Sequence, residues 1–471
     1  MTRALWERPV AFVGGAWVDV DRSRAVVDPA TEQPIGTAAD CDPALVDAAV
    51  RAAASAAASW GQTPAEERAS AIARLHTELV RRREQLVDTI VAEVGAPLRT
   101  ARDAHVDVAL DVLRWYAEQV DPGWFEYTIG NSRVVRQPAG VAACITPWNY
   151  PLYQLVVKLA PALLAGCPVV IKPAELAPLT AYLLVDAAVD AALPPGVVNL
   201  VPGSGAETGD ALVRHPLVAL ISFTGSTAVG RQVASLAALR CKRVGLELGG
   251  KSASIVLDGA PLETAVRATV DSATLNSGQT CSAWTRLLVP ASRYEEAVSL
   301  AGRDMAALVV GDPRDVRTDL GPLISAEQRR RVHDLVDRAS AVGARIIRAD
   351  RALPAVGYFT EPVVVADVDA TTEIAREEVF GPVLTLLPHH GQEDAIASAN
   401  ASPYGLGGAV WAATEAQGLA VARRLRTGQV DVNGAEFNLA APFGGFGASG
   451  TGRELGLAGL EEYTELQAIQ T

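Results

Sequence analysis

One cysteine among the five in the chain stands where its sulfur could react. Cys281 follows the polar, turn-prone run 276–280 (Asn-Ser-Gly-Gln-Thr), which is expected to expose its side chain. Cys144 and Cys167 lie in apolar runs and are expected to pack in the core, where most cysteines of globular proteins are found. Because the thiolate is the nucleophilic form of cysteine, Cys281 is the candidate for covalent catalysis.

A carboxylate at a predicted strand end is the candidate for a general base. Glu247 stands between Leu246 and Leu248 and directly before two glycines. Partial burial beside the leucines would raise its pKa toward the range that suits a base. The alternative interpretation is a carboxylate turned to solvent at the end of the strand.

Four segments that concentrate small, polar and turn residues follow predicted strands. Open α/β sheets bind their ligands at the carboxyl ends of the strands, so these segments are the expected parts of a site. The segments are Thr146–Pro151, Phe223–Thr227, Leu246–Lys251 and Gly278–Cys281.

Residues 245–252 (Gly-Leu-Glu-Leu-Gly-Gly-Lys-Ser) also match the pattern of a phosphate-binding P-loop. That loop requires a helix that begins at Lys251 and Ser252, whereas the short, β-branched continuation to Gly259 predicts a strand. Glu247 would also place negative charge in an anion cradle. A nucleotide could instead bind at the start of the helix that follows Gly225 and Ser226.

Short apolar runs alternate with helical patterns from residue 141 onward, and a second such series extends from 253 to about 437. This alternation predicts parallel sheets. In the first series, strands are predicted at 141–146, 168–171, 197–201 and 217–223, and helices near 176–192 and 227–238.

The regions outside these series have their own patterns. Helical periodicity extends over 43–94, and a further helix is predicted near 100–120. Residues 125–137, around the Gly130-Asn131 turn, are typical of a hairpin. The tail 461–471 is strand-like and could complete that hairpin.

Composition restricts the class of protein. The net charge of −13 and the pI of about 5.1 argue against a nucleic-acid partner, since such proteins carry clustered Lys and Arg. The longest strongly apolar stretch, 159–171, is too short to span a bilayer and contains two prolines, and no secretory signal is apparent. The cysteine and histidine spacings predict neither a disulfide framework nor a metal site. We therefore predict a cytoplasmic metabolic enzyme without a membrane partner.

Seven motifs occur in a fixed order and spacing. Together they resemble the motifs of the NAD(P)-dependent aldehyde dehydrogenase superfamily. The resemblance extends over nearly the whole chain, from residue 13 to residue 465, and seven motifs in register are far more specific than any one of them. The motifs are Pro147–Pro151 (Pro-Trp-Asn-Tyr-Pro), Lys172–Glu175 (Lys-Pro-Ala-Glu), Phe223–Thr227 (Phe-Thr-Gly-Ser-Thr), Glu247–Lys251 (Glu-Leu-Gly-Gly-Lys), Gly278–Cys281 (Gly-Gln-Thr-Cys), Glu378–Pro382 (Glu-Val-Phe-Gly-Pro) and Pro442–Gly445 (Pro-Phe-Gly-Gly).

The resemblance implies a catalytic role for three residues. Cys281 would be the nucleophile, Glu247 the general base, and Asn149, with the Cys281 backbone N–H, the donor to an oxyanion. The implied course is a thiohemiacetal on Cys281, hydride transfer that leaves a thioester, and hydrolysis by water that Glu247 activates. An enzyme that passes the thioester to coenzyme A would not need this base, so Glu247 favours hydrolysis.

The resemblance also implies a dinucleotide site. Glu175 should repel the 2′-phosphate of NADP and accept hydrogen bonds from a free ribose diol, so NAD is the expected cofactor rather than NADP. Lys172 would lie at the same ribose, and Glu378 and Phe380 at the nicotinamide ribose. The predicted cofactor-binding residues are Trp148, Lys172, Glu175, Gly205, Phe223, Gly225, Ser226, Leu248, Glu378 and Phe380.

Uncharged side chains occupy the positions that match or neighbour the family's substrate tunnel. They predict an uncharged, apolar aliphatic or aromatic aldehyde, although each side chain could instead simply pack in the core. The residues are Tyr150, Tyr153, Gln154, Val157, Thr280, Ser282, Phe437 and Phe443.

Two positions depart from the family pattern. Trp284 replaces a residue that is usually small, so it either reshapes the mouth of the pocket or fills a gap in the core. Gly447 follows Phe446 where many relatives carry Lys, and it is expected to alter a loop rather than remove a catalytic group.

The predicted fold class is α/β, with two open-sheet, Rossmann-like domains and a small β-arm for oligomerisation. The NAD-binding domain is expected over 1–118 and 138–247, the catalytic domain over 248–450, and the arm over 119–137 and 451–471. The arm predicts a homodimer or homotetramer. The alternative functions are a catalytically silent structural or binding protein on the same fold and, less favoured, a P-loop nucleotide hydrolase.

Overall fold

The computed structural model describes Glu7 and residues 9–471. The predicted NAD-binding domain begins at residue 1, and its residues 1–6 and 8 lie outside the described part. A π-helical stretch, Ala101–Asp107, joins the last two helices of the first region, so the helix predicted near 100–120 is continuous from 98 to 118. The elements of this region are β1 (Val10–Val13), β2 (Ala16–Asp19), β3 (Ser23–Asp28), β4 (Gln33–Ala39), α1 (Pro43–Gln62), α2 (Ala65–Arg81), α3 (Arg83–Val94), α4 (Leu98–Thr100) and α5 (Val108–Glu118).

A hairpin and then alternating strands and helices follow. The predicted strands and helices of this region are confirmed to within a few residues at their ends. The elements are β5 (Glu126–Ile129), β6 (Ser132–Pro138), β7 (Val141–Ile145), α6 (Pro151–Ala165), β8 (Val169–Lys172), α7 (Leu179–Asp190), β9 (Val198–Leu200), α8 (Asp210–Arg214), β10 (Val218–Thr224), α9 (Thr227–Ala238) and β11 (Arg243–Glu247).

The remainder of the chain forms a second alternating series and a short C-terminal region. Its elements are β12 (Ala253–Val256), α10 (Leu262–Thr274), β13 (Arg286–Pro290), α11 (Tyr294–Ala307), α12 (Ala326–Ala341), β14 (Arg345–Ile347), β15 (Val363–Ala366), α13 (Glu373–Arg376), β16 (Val383–His389), α14 (Gln392–Asn400), β17 (Gly408–Trp411), α15 (Glu415–Ala422), β18 (Asp431–Val432), β19 (Gly450–Thr451), α16 (Gly456–Glu461) and β20 (Thr464–Gln470).

In the described part of the chain, one sheet has the strand order β19-β11-β10-β7-β8-β9-β1-β2. Strands β7 to β11 are parallel. All residues of β7 are buried, and its sequence is an unbroken apolar run because helices cover both faces of a parallel sheet. The carboxyl ends of β7, β8, β10 and β11 therefore lie at one edge, where four of the motif segments begin.

A second sheet has the order β14-β15-β16-β13-β12-β17-β18 and is parallel except for β14. The chain passes from the first sheet to the second through residues 248–252. Cys281 lies on the connection between α10 and β13. The motif segments of the first sheet and the cysteine of the second thus meet between the two sheets.

A third, small sheet contains the hairpin and the tail. Strand β6 pairs antiparallel with both β5 and β20, which confirms the predicted hairpin and the strand-like tail. The predicted arm starts too early at 451, because β19 pairs with β11 and α16 packs against α6. Leu455 and Leu460 are buried in the core of the first sheet, so this segment packs as part of that domain.

The structure resolves the questions that the sequence left open outside the site. The residues after Lys251 form strand β12, so residues 245–252 do not have the P-loop conformation. Trp284 packs edge-on against Trp411 (ring centroids 6.5 Å apart) in the core of the second sheet, so it fills the core. Gly447 has a φ of 59°, a conformation that favours glycine over the lysine of many relatives. Within Glu7 and 9–471, no helix has the length and apolar character needed to cross a membrane.

Candidate active site

The turn that carries Cys281 has an unusual backbone conformation. Asn276, Ser277 and Gly278 have φ values of 54°, 59° and 75°, in the left-handed region that most side chains avoid. A Cβ on Gly278 would lie 2.2 Å from the backbone of Gly381, so glycine is required there. Backbone strain of this kind is concentrated at functional sites, which agrees with the turn-prone sequence before Cys281.

Hydrogen bonds join this turn to Asn149. The Asn276 side-chain amide donates to the backbone oxygen of Asn149 (2.8 Å), and the Asn149 amide donates to the backbone oxygen of Gln279 (2.9 Å). Gln279 in turn accepts at Oε1 from the backbone N–H of Ile324 (2.9 Å). An amide group has two N–H donors, so the bond to Gln279 uses only one of those of Asn149.

Cys281 is half-buried rather than fully exposed. Burial, followed by the negative charges of Glu378, Glu247 and Glu454, raises the pKa of its thiol to about 12, while the Ser282 backbone N–H opposes this by donating to the sulfur. The resting thiol therefore keeps its proton at neutral pH. Attack on an electrophile requires a positive charge or a base close to the sulfur.

Glu247 lies at the end of β11 and is buried at 5% exposure, so the alternative of a solvent-exposed carboxylate is wrong. Neither carboxylate oxygen has a hydrogen-bond partner among the described residues. Burial, followed by the charge of Glu454, raises the pKa of Glu247 well above its ordinary value, and Lys158 opposes that shift. A raised pKa is what the proposed base would need.

The structure does not bring Glu247 into the cavity that Cys281 and Asn149 line. Glu247 borders a separate cavity of about 10 Å³ together with Glu454 and Tyr463. That volume is close to what a single water molecule requires. Glu247 and Cys281 therefore line different cavities in this structure.

Two neighbouring features provide the surroundings of Glu247. A Cβ on Gly444 would lie 2.6 Å from Glu247 Oε1, so the Pro442–Gly445 motif leaves room for the carboxylate. On the other side, the buried Lys158 Nζ donates to Glu454 Oε1 (2.5 Å) and Thr224 Oγ1 (2.8 Å). The lysine places a positive charge near two buried carboxylates.

Two cavities separated by Trp148 follow the carboxyl edge of the first sheet. One has a volume of about 650 Å³, and the other, of about 490 Å³, extends to Cys281 and Asn149. These volumes are in the range of cofactor sites. All ten predicted cofactor-binding residues line them: Lys172, Glu175, Gly205 and Phe223 the larger, Gly225, Ser226, Leu248, Glu378 and Phe380 the smaller, and Trp148 both.

The larger cavity contains a carboxylate held in place by two donors. Glu175 accepts from the Gly205 backbone N–H (2.7 Å) and from the Arg24 guanidinium (3.2 Å). Lys172 donates to the Pro173 backbone oxygen (2.9 Å), and burial lowers its pKa to about 8. This arrangement suits a ribose diol, and sequence reasoning missed Arg24 because it comes from β3, far away in the chain.

The smaller cavity combines a helix start with a second carboxylate. Thr227, the first residue of α9, lines it, and the N–H groups of a first helical turn suit a phosphate. Glu378 accepts from the Gly250 backbone N–H (2.9 Å), and burial raises its pKa to about 7. The ring of Phe380 meets Trp148 edge-on, with centroids 5.3 Å apart.

The predicted substrate residues include two aromatic pairs. Tyr150 contacts Tyr153 edge-on (6.5 Å), and Phe437 contacts Phe443 (6.2 Å). Tyr153 and Cys281 pack against the same apolar cluster, which includes Phe443.

The other predicted substrate residues lie in different surroundings. The Tyr150 hydroxyl and Thr280 Oγ1 are 2.7 Å apart. Val157 and Gln154 are buried on α6, and Val157 lines the small cavity of Glu247, so for Val157 the packing alternative is the better description. Ser282 contributes the N–H that faces the sulfur.

Four residues outside the predicted motif segments also line the smaller cavity: Ala228, Gln328, Arg331 and Tyr404. Gln328 and Arg331, one helical turn apart on α12, donate to the backbone oxygens of Phe380 (2.8 Å) and Glu378 (2.9 Å). The only sequence signal was their spacing of three residues, which is common on any exposed helix face. Among the described residues, no group of His, Cys, Asp and Glu side chains could hold a metal ion.

Comparison with known proteins gives the family of this chain. The chain belongs to the aldehyde dehydrogenase family, whose model matches residues 17–469. The predicted family and α/β fold class with two Rossmann-like domains are confirmed by these matches.

Three relatives are similar over almost their entire length. A mutant of aldehyde dehydrogenase C from Pseudomonas syringae, solved in complex with NAD+ and octanal, has a TM-score of 0.96 and 42% identity over 98% of this chain and 96% of that one. A 3-succinoylsemialdehyde-pyridine dehydrogenase from a Pseudomonas species is 42% identical over 97% of each chain. Geranial dehydrogenase from Castellaniella defragrans is 39% identical over 97% of this chain and 98% of that one.

Proposed function

We propose that this protein oxidises an uncharged, apolar aliphatic or aromatic aldehyde to its carboxylic acid with NAD. The observation that carries the proposal is that Cys281 and Asn149 line the same cavity as Glu378, Phe380 and the start of α9. A nucleophile, an oxyanion donor and a dinucleotide site in one cavity are the parts that this reaction requires.

The residues of the chain perform the covalent steps. The Cys281 sulfur attacks the aldehyde carbon, and the remaining Asn149 N–H donates to the oxygen that becomes negative. As this thiohemiacetal collapses, its C–H bond breaks, the former aldehyde hydrogen leaves as hydride, and a thioester remains on Cys281. Glu247 takes a proton from water, whose oxygen then attacks the thioester and frees the acid and the thiol.

The cofactor proposed is NAD, and the cavities fit it. Glu175 would hold the adenosine ribose, the start of α9 the pyrophosphate, and Glu378 the nicotinamide ribose. A Cβ on Gly249 would lie 2.4 Å from Glu378 Oε2, so glycine keeps the approach to that carboxylate open. When bound, NAD would supply the hydride acceptor and a positively charged ring that favours the Cys281 thiolate.

The substrate class rests on the predicted substrate residues, none of which is charged, and of which Tyr150 and Tyr153 lie close enough to Cys281 for its charge to act on their hydroxyl groups. The relatives support the same class: octanal is bound in one of them, and geranial names another. NADH formation across aldehydes that differ in length, charge and aromaticity tests the proposal. We expect octanal and benzaldehyde to be oxidised with far higher kcat/KM than aldehydes that carry a carboxylate or phosphate. Silence across the panel despite NAD binding would instead favour the catalytically silent alternative.

Replacement of Asn149 by alanine is expected to lower kcat/KM about 10²–10³-fold, since one donor to the oxyanion is lost. NAD affinity should change little, because the other cavity-lining residues remain. Steady-state kinetics and calorimetric titration with NAD measure the two effects. Unchanged kcat/KM in a folded Asn149→Ala protein would remove Asn149 from the mechanism.

Replacement of Glu175 by glutamine is expected to raise kcat/KM for NADP by about tenfold or more, because a like charge no longer repels the 2′-phosphate. Arg24, 3.2 Å from Glu175, also pairs with Asp40 (3.2 Å), and without the Glu175 charge its guanidinium can turn to that phosphate. The double variant Glu175→Gln/Arg24→Ala is the control and should lose most of the gain. If NADP use is the same in the wild type and Glu175→Gln, the assignment of this end of the site is wrong.

The affinity for NAD is expected to rise as the pH increases through 7. Burial raises the pKa of Glu378 to about 7, and a ribose diol donates to the ionised carboxylate, so NAD binding should release a proton. Below pH 7 the protonated group accepts the diol less well, and affinity falls. NAD titrations at a series of pH values, followed by the quenching of tryptophan fluorescence, measure this pH dependence. The Glu378→Gln protein should bind NAD more weakly, and its affinity should not depend on pH in this range. If the affinity of the Glu378→Gln protein for NAD still rose with pH in the same way, the titrating group would be a different one.

The assembly proposed is a homodimer or homotetramer joined through the β5-β6-β20 sheet. Every residue of the edge strand β5 is exposed, and Ile129 on β5 and Leu466 on β20 are apolar. Exposed edges with apolar side chains are usually covered by another chain. Light scattering of the wild type should give a mass of two or four chains. The Ile129→Lys variant should have a smaller mass, whereas a monomeric wild type would contradict the proposal.

A further inference from the structure

Lys251 carries a buried amino group that the proposed reaction does not use, and burial, followed by the charge of Arg286, lowers the pKa of this lysine to about 7. It is 1% exposed, and its Nζ has no hydrogen-bond partner in the part of the chain that the structure describes. An unpaired buried charge is strongly unfavourable. Lys251 completes the P-loop pattern in the sequence, but the P-loop conformation is not formed. Its burial without a hydrogen-bond partner among the described residues therefore needs another explanation.

Two hydroxyl groups close to Lys251 are also buried without a hydrogen-bond partner among the described residues. They are Ser252 Oγ and Thr427 Oγ1. Both residues line, with Lys251, a cavity of about 20 Å³. This volume admits a monatomic ion or one to two water molecules, given that one water needs roughly 10–15 Å³.

The charge around the cavity is positive. Arg286 also lines it and is buried, and its guanidinium donates to the backbone oxygens of Lys251 (2.9 Å), Ser398 (3.0 Å) and Ala399 (2.9 Å) rather than to a carboxylate. Within Glu7 and 9–471, neither Lys251 nor Arg286 forms an ion pair with an acid. Two buried basic side chains and two unpaired hydroxyl donors around one cavity are complementary to an anion, which would also favour the protonated form of Lys251.

We propose that this cavity binds a small monovalent anion of the halide class, such as chloride, between Lys251, Ser252 and Thr427. The anion accepts one N–H and two O–H hydrogen bonds and offsets the positive charge of Lys251 and Arg286. The cavity lies beside residues 249–252, which connect the two sheets. A Cβ on Gly250 would lie 2.4 Å from the Cys281 backbone oxygen, so the anion supports the segment on which the nucleophile rests.

Bromide identifies the occupant directly, because it replaces chloride and scatters anomalously. Crystals grown in sodium bromide should show an anomalous peak in contact with Lys251 Nζ. In solution, chloride and bromide should raise the unfolding temperature in a saturable way relative to gluconate at equal ionic strength, since a ligand of the native state stabilises it.

Variants separate this site from general salt effects. Lys251→Met should lose the halide-specific stabilisation. Should that variant not fold, Ser252→Ala/Thr427→Val keeps the charge and should weaken bromide binding about tenfold, as the loss of hydrogen bonds to an ion does. Lys242→Met is the matched control, because Lys242 donates to the Val213 backbone oxygen outside the cavity (2.6 Å) and should leave the halide effect intact.

Three results would overturn the proposal. The first is an absence of anomalous density in the cavity. The second is an equal response of the wild type to chloride and gluconate. The third is an undiminished halide effect in both Lys251→Met and the Ser252→Ala/Thr427→Val protein.

Discussion

Replacement of Cys281 by alanine is expected to abolish NADH formation, with kcat lowered about 10⁴-fold or more, as the loss of a covalent nucleophile does in other enzymes. Without the sulfur no thiohemiacetal forms, and the aldehyde hydrogen has no route to leave as hydride. NAD binding should persist, because the two cavities are lined mainly by other residues. Absorbance of NADH and calorimetric titration with NAD measure the two quantities.

Cys241→Ala is the matched control for this prediction. Cys241 is exposed and lies between α9 and β11, and it lines neither cofactor cavity. The control should keep full activity. Substantial NADH formation by Cys281→Ala would contradict a covalent route through this sulfur.

Replacement of Glu247 by glutamine is expected to lower the steady-state rate about 10²–10⁴-fold while a first burst of NADH remains. The reason is that Glu247 activates water for thioester hydrolysis, a step that follows hydride transfer. Burial raises the pKa of Glu247 well above its usual value, so the wild-type steady-state rate should rise with pH as the carboxyl group loses its proton. Stopped-flow absorbance resolves the burst, and a pH series tests the second expectation.

Glu462→Gln is the matched control, because Glu462 borders the same small cavity and accepts from the Arg453 backbone N–H (3.1 Å). It should retain both the burst and the steady-state rate. A Glu247→Gln protein without a burst would place the carboxylate before hydride transfer, and one with an unchanged steady-state rate would remove it from the mechanism.

Most of the fold was predictable because its signals are local. Helix α9 was predicted with its observed bounds, since Ser226 caps it by accepting from the Val229 backbone N–H (3.3 Å). Strand β10 was predicted within one residue, because a buried parallel strand is a continuous apolar run. The pairing of β19 with β11 was missed, since it joins residues about 200 positions apart and no local pattern encodes it.

The site divides in the same way. Cys281 was found because a polar, turn-prone run precedes it, and Glu378 because its motif resembles that of the family. Arg24 and Arg331 were missed, because their contributions are contacts with distant segments. The direction of the Glu247 side chain was also beyond the sequence, since it depends on the space that Gly444 leaves and on the charge of Lys158.

The mass of the Cys281 peptide tests the central claim most directly. Glu247→Gln protein mixed with NAD and octanal, then digested and analysed by mass spectrometry, should carry a thioester on Cys281. The predicted increase is the mass of the aldehyde less two hydrogen atoms, confined to that peptide and dependent on NAD. An unmodified Cys281 peptide after a burst of NADH, or an acyl group on a different residue, would contradict the account.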